Sequence, residues 1–330
     1  MAAAGTPTLE SPSRQRPTAG RRQSVASRVA KRGGPYLLIL PSLAVIGVIL
    51  AWPLYNLFVL AFQKFGLPQI LHMSHPKAGK APEWVGFANF SKAFHDPQFW
   101  STLQRTAIFT AVNVAATLII GTAIAVLMGR VAKSIRLMLT AVLIFVWATP
   151  QLVGLTIWNW LFDQEFGVVN YVLTKLHLGH FLHHSWYTQP WQGFMVVTFV
   201  VVWGAIPFIA ITMHAALTQV PEELVEAARV DGASPLQVFR NVMLPILRPI
   251  LVILTSLSII WDFQVFTQVY ILRDNRPEPW YFLISIFSFV TSFKAHDYGY
   301  GSALAIITLL IMAFVSIFYI RQLIRISEDQ

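Results

Sequence analysis

Six apolar stretches, each long enough to cross a bilayer, constrain this chain more than any other feature. They cover residues 36–62, 102–128, 137–161, 193–217, 250–272 and 302–320. A helical span needs about 20 mostly apolar residues. Inside lipid every backbone polar group must be satisfied internally, so long apolar stretches fold as helices. Composition agrees: 55% of residues are hydrophobic and 12% charged, against about 25% charged in soluble domains. The expected fold is an all-α membrane protein with six transmembrane helices. A further stretch, residues 280–293, is apolar but short, and is expected to be an interfacial or re-entrant helix.

The cations orient the spans. Of 24 Lys and Arg, 15 fall in segments that share one side when the N-terminus is cytosolic. Seven lie in the first 32 residues, and Arg130, Lys133 and Arg136 crowd the turn between spans two and three. The positive-inside rule then predicts both termini in the cytosol. Residues 1–35, rich in Ala, Ser, Pro, Gly and Arg, are expected to be a disordered basic tail beside anionic lipid. Residues 36–325 would form the six-span domain, and 326–330 a short cytosolic tail. The first apolar stretch exceeds the 7–15 residues of a signal-peptide core and is expected to be an uncleaved span.

Several chemistries are excluded or weakened. The chain has no cysteine, so thiol nucleophiles and Cys-ligated metals are absent. The net charge of +9 lacks a basic–aromatic module that would read nucleic acid. His177, His180, His183 and His184 are spaced so that the first three could share a helix face. With no carboxylate in the run they read as surface histidines, and no metal site is expected. No GxxxxGK[ST] loop occurs, so ATP is not expected to bind here and no cofactor is assigned. No HExxH or GxSxG motif marks an enzyme. An ion-gradient-driven transporter is the rival class, but no internal repeat is evident and only Asp262 is acidic deep in a span.

Residues 218–248 form the longest cytosolic loop, TQVPEELVEAARVDGASPLQVFRNVMLPILR. Pro221 suits a helix start, and Glu222, Glu223 and Glu226 complement the N-terminal dipole. Leu224, Ala227 and Ala228 share one face. Asp231-Gly232 is expected to end that helix. A second helix over 235–243 would present Leu236, Phe239 and Val242, with Leu244-Pro245 leading into span five.

The order Glu226-Ala227-Ala228, three residues, Gly232, nine residues, Val242, Met243, Leu244-Pro245 resembles the E-A-A signature of binding-protein-dependent ABC importer permeases. Only Val242 departs, standing where Ile is usual. The stretches LPSLAVIGVILAWPLYNLFVLAF, WVGFANFSKAF, IWNWLFDQEFGVVNYVL and WGAIPFIAITMHAAL extend the likeness to the carbohydrate permeases of the maltose-transporter type. The turn Arg273-Asp274-Asn275-Arg276-Pro277 replaces a T-x-G-G-P-like turn of that family.

The resemblance implies a passage for a sugar, such as the disaccharide trehalose, driven by ATP hydrolysed elsewhere. It implies two ATPase subunits carrying ATP and Mg, a second homologous permease and an external sugar-binding lipoprotein. Coupling to an ATPase would fall to Glu222, Glu226, Ala227, Ala228, Asp231, Gly232, Leu244 and Pro245. Polar and aromatic groups within spans give a candidate substrate path: Trp261, Asp262 and Gln264 first, then Trp203, His214, Gln151 and Asn159. The competing reading makes Asp262 a helix–helix hydrogen-bonding group.

Overall fold

The computed structural model describes residues 39–77 and 79–328. The basic tail and the last two residues lie outside that range, so the expectations for them are not addressed. The chain divides between Asn56 and Leu57 into two compact units. The first contains most of helix α1, Ile39–Ala61, whose side chains from Ile39 to Tyr55 are exposed. A wider π turn interrupts α1 at Gly47–Ala51.

The second unit is a helical bundle. Its long helices are α4 (Pro97–Arg130), α8 (Pro190–Leu217) and α14 (Tyr298–Glu328). Shorter helices precede α4: α2 (Leu67–Ser74) and α3 (Ala88–His95). A two-residue antiparallel ladder pairs Gln63 with Trp84 and Lys64 with Glu83. This places Phe62, Trp84, Phe87 and Phe90 in one aromatic cluster.

Helices α4 and α8 make the most extensive contact. Gly121 permits it, because a Cβ there would lie 2.7 Å from the Ile209 side chain. The core beside them gathers Phe109, Val197, Val200, Phe263, Leu283, Ile284 and Leu304. Burying one such side chain stabilises a fold by about 1.5–3 kcal/mol in water. Within lipid, packing and buried polar contacts carry more of that role.

Two expected spans are not single helices. The third is broken into α5 (Lys133–Ala148) and α6 (Gln151–Leu161), which meet at 98°. Pro150 accounts for this break, because proline disfavours a helical residue before it and lacks an N–H. The fifth was expected to run through to Leu272. Instead α10 (Pro235–Ile246) turns by 78° into α11 (Arg248–Phe263), and the chain then opens at Gln264 before α12 (Thr267–Leu272). Among the described residues four helices are long and apolar enough to span, or six if each bent pair counts once.

The short apolar stretch is not a single helix. It becomes a 3₁₀ turn, Pro279–Tyr281, followed by α13, Ile284–Lys294. Tyr281, Phe282, Leu283, Ile284 and Ile286 are buried against protein, not laid on an interface. The Thr106 hydroxyl accepts from the Ile284 N–H at 2.9 Å, and Arg105 donates to the Phe282 carbonyl at 2.8 Å. A clasp joins the turns before α4 and α14: Lys92 pairs with Asp297 at 2.7 Å, and the Tyr300 hydroxyl donates to Asp96 at 2.8 Å.

Candidate functional site

The loop after α8 forms a helical knuckle. Helix α9, Glu222–Val230, carries Glu222 and Glu223 in its first turn and has no buried residue. Its end is a Schellman closure: Ala233 N–H donates to the Ala228 carbonyl and Gly232 N–H to that of Arg229, each at 3.0 Å. Gly232 sits at φ +81° with open space around its Cα. Glycine is therefore required there by backbone conformation, not crowding. Asp231 caps the helix beside it.

The second helix is set by a signal the sequence reading overlooked, Ser234-Pro235-Leu236-Gln237. Ser234 and Gln237 form a reciprocal capping box, with Ser234 N–H donating to Gln237 Oε1 at 2.7 Å. Its buried face also differs from expectation. Val238 is buried and Leu236 exposed, Phe239 and Val242 are half-buried, and a π turn runs over Phe239–Met243. Leu244 and Pro245 lie in the last turn before the bend into α11.

On α9, Glu226 and Ala227 are exposed and Ala228 half-buried, with Leu224 and Val230 exposed beside them. Val225 turns inward to the cluster of Ala125, Met213 and Leu247. Between the knuckle and the ends of α4, α8 and α11 lies a cleft of about 1440 Å³, lined by Ile119, Arg130, His214, Glu222, Glu226 and Leu251 among others.

The candidate path residues do not form one surface. His214 lines the knuckle cleft, with Nδ1 3.3 Å from the Ala125 carbonyl. Trp203 packs edge-on against Trp158 and close to Gly154, joining α8 to α6. Asn159 is half-buried near the end of α6, two turns from the exposed Gln151. Trp261 and Gln264 are exposed, whereas Asp262 between them is only 4% exposed and turns into the bundle. The break after Phe263 separates Gln264 from Gln268, which lies in α12.

Trp261 gains different neighbours. Its ring lies 5.3 Å from Phe208 of α8 and 6.3 Å from Trp147 of α5, while Trp147 and Phe208 stack at 5.4 Å. Neither Trp147 nor Phe208 was singled out from the sequence, where an aromatic in a span is indistinguishable from packing. Also overlooked was the polar stripe Thr102, Thr106, Thr110, Asn113 and Thr117, buried along α4. The oxygens Thr110 Oγ1, Asn113 Oδ1 and Thr117 Oγ1 have no hydrogen-bond partner among the described residues.

At the N-terminal end of α8, Arg273 is held between Tyr187 and Tyr281, 5.0 and 4.7 Å from their ring centres. Its guanidinium also forms a two-pronged pair with Glu278. Burial alone would raise the Glu278 carboxyl; the Arg273 hydrogen bond, a backbone hydrogen bond and the Arg273 charge outweigh it and lower the carboxyl below its ordinary value. Burial raises the Tyr187 hydroxyl despite the nearby Arg273. Asp274 and Asn275 take left-handed φ values of 50° and 60°, a conformation these short polar residues tolerate. The departure from the family turn is thus a folded clasp.

The histidine run forms no helix face: α7, Val168–Lys175, ends before it. His183 meets Glu165 at 2.7 Å, a carboxylate from outside the run. Among the described residues no group of three or more His, Cys, Asp or Glu side chains could hold a metal.

Broken spans, a buried polar stripe and an exposed knuckle between two spans define the class, a helical membrane permease. The family described as "Binding-protein-dependent transport system inner membrane component" matches residues 121–325. The diacetylchitobiose uptake system permease protein DasB of Streptomyces coelicolor is 37% identical over 313 residues, covering 95% of this chain and 93% of DasB. The trehalose/maltose transport system permease protein MalF of Thermococcus litoralis is 29% identical, covering 89% and 94%. A bacterial alginate ABC transporter, solved with its alginate pentasaccharide-bound periplasmic protein, superposes with a TM-score of 0.73 at 17% identity, covering 89% of this chain and 95% of that one. The chain belongs to the binding-protein-dependent ABC transporter permeases of the carbohydrate-uptake type, as a non-catalytic multi-pass component of the inner membrane.

Proposed function

We propose that this permease carries a neutral disaccharide, trehalose first among them, and that the α9–α10 knuckle receives the stroke of an ATPase. Both termini and the knuckle would face the cytosol, where the cations concentrate. Two ATPase subunits, a second homologous permease and an external sugar-binding lipoprotein would complete the particle. The observation that carries this reading is the knuckle itself. Its first helix buries no residue of its own, yet that helix is closed at its C-terminal end and the second is capped at its N-terminal end.

In this reading Glu226 pairs with a cation on the ATPase, and Glu222 and Asp231 flank it. Ala227 and Ala228 allow close approach. Gly232 aims the helix, and Leu244-Pro245 pass the motion into α11. Trp261, Gln264 and Gln151 are exposed at the helix breaks and would meet the sugar. Asp262, Trp203, His214 and Asn159 would support the path from within the bundle.

For trehalose, the support is the likeness of the tail and loops to the permease subunit of the mycobacterial trehalose importer, and the name of the Thermococcus relative. The DasB relative names a different disaccharide. Uptake of radiolabelled trehalose, maltose and N,N′-diacetylchitobiose into proteoliposomes holding the full particle is the test. ATP-dependent uptake with trehalose preferred is the expected result. Preference for diacetylchitobiose would overturn the substrate assignment. Uptake that ignores ATP but collapses with the proton gradient would overturn the coupling assignment in favour of an ion-driven transporter.

A further inference from the structure

The polar stripe along α4 carries oxygens that no described residue satisfies. Thr110 is 5% exposed, and Asn113 and Thr117 are 0% exposed. Thr110 Oγ1, Asn113 Oδ1 and Thr117 Oγ1 have no hydrogen-bond partner among the described residues. A helical threonine commonly closes on the carbonyl four residues back. Thr106, Thr140, Thr255 and Thr308 do so at 2.7–2.9 Å. Thr110 and Thr117 leave that acceptor unused. Asn113 donates through Nδ2 to the Phe109 carbonyl at 2.7 Å, which leaves Oδ1 as a free acceptor. At about 100° per residue, the three positions fall within about 60° of one helix face. Leaving one such group buried and unpaired is costly, so three on one face call for a common partner.

Helix α11 packs against α4. Its buried positions are Leu254, Ser258, Asp262 and Phe263. Phe263 shares an apolar cluster with Phe109, and Leu254 shares another with Ala125. In sequence, the three free oxygens of α4 fall between those two apolar ends, as do Ser258 and Asp262 of α11, each 4% exposed. No Lys, Arg or His occurs in residues 106–129 or 249–263, so neither stretch offers a cation to the carboxylate. Asn113 Oδ1 and a carboxylate both accept, and only a donor between them serves both. Water brings two O–H donors and also accepts from hydroxyls. A buried water needs about two to four polar partners, and this set of side chains supplies them.

We propose that ordered water molecules fill a seam between α4 and α11, bound by Thr110, Asn113 and Thr117 on one helix and by Ser258 and Asp262 on the other. A bridging water is nearly as favourable as a direct hydrogen bond, and it turns to new partners as the helices shift. α11 follows the knuckle across the 78° bend. The seam therefore lets α11 move on α4 when the knuckle moves; this role rests on the coupling reading above.

The test is radiolytic footprinting of the complete importer in nanodiscs made up in heavy-oxygen water. ATP-driven uptake of trehalose and N,N′-diacetylchitobiose is measured in parallel in proteoliposomes. X-rays turn bound water into hydroxyl radicals that oxidise the nearest side chains. Phe109 and Phe263, each 5% exposed, should be oxidised several-fold faster than Phe287 of α13, which is 7% exposed. The double variant Thr110→Val, Thr117→Val keeps side-chain shape. It should bring both rates down to that of Phe287 and slow uptake several-fold. Thr117→Ser keeps a hydroxyl and should retain the labelling. If the double variant fails to assemble, Asn113→Leu provides the same comparison. Equal oxidation of the three rings in the wild type overturns the seam. A higher melting temperature of the double variant with unchanged labelling also overturns it, because the oxygens would then be unsatisfied. Reduced labelling with wild-type uptake overturns the role in α11 motion. Wild-type uptake that ignores ATP defeats the coupling reading instead and leaves the labelling result standing.

Discussion

The knuckle after α8 and the clasp before it lie at opposite ends of a 28-residue helix, about 40 Å apart at 1.5 Å per residue. They are built by opposite means. The knuckle is held by local backbone closures, Ala233 to Ala228 and Ser234 with Gln237. The clasp packs Arg273, Glu278 and Tyr281, from one short segment, against Tyr187 from the segment before α8. Local closures make a rigid shape that leaves its outer surface free for another molecule. Long-range side-chain contacts tie elements together and leave little surface for binding. The first design suits force transfer and the second suits a fixed anchor.

The largest expected effect comes from adding bulk to the small-residue face of α9. Ala228→Trp should reduce ATP-driven uptake by at least roughly tenfold, a loss of about 1.4 kcal/mol or more in productive docking. The melting temperature of the isolated permease in detergent should hardly move. Normal sugar-stimulated ATP hydrolysis by this variant would contradict the coupling role. Arg273→Ala should do the reverse, lowering stability by about 2 kcal/mol through loss of charged hydrogen bonds while sparing sugar-stimulated hydrolysis. A thermal unfolding series in detergent would expose any failure of that contrast.

Gly232→Ala sharpens the comparison at smaller scale. Forcing a Cβ into the left-handed region costs about 1–2 kcal/mol, and here that cost falls on the aim of α9. Uptake should decline with little change in global unfolding. The smallest effect is the acid response of the clasp. Glu278 is held below its ordinary value of 4.5, so its contribution is full above the unfolded value. It is lost as pH falls through the lower folded value, and nothing changes near neutrality. Glu278→Gln should remove this acid-dependent part from melting curves recorded at falling pH; an unchanged acid slope would exclude Glu278 as its source.

Much of the knuckle was legible in advance because its determinants are local. Gly232 read as a helix end and is one. Ser234 and Gln237 carried a cap signal that could have been recognised. The path residues were less legible. Pro150 was available as a sign that the third span breaks, but Pro207 sits inside α8 without breaking it, so proline alone does not decide. The opening at Gln264 has neither proline nor glycine to announce it. Helical spacing therefore does not reveal it, and gives no reason to pair Trp147 with Trp261.

Sequence alone determined the membrane class and the position of the helical knuckle. Apolar length, charge placement and cap chemistry act over a few residues, or one span, at a time. Only the tertiary structure decided where two spans break, that Asp262 turns inward while Trp261 stays open, and that Trp147, Phe208 and Trp261 meet. Those outcomes depend on which faces of distant helices pack together, and hydropathy along one chain contains no record of that choice.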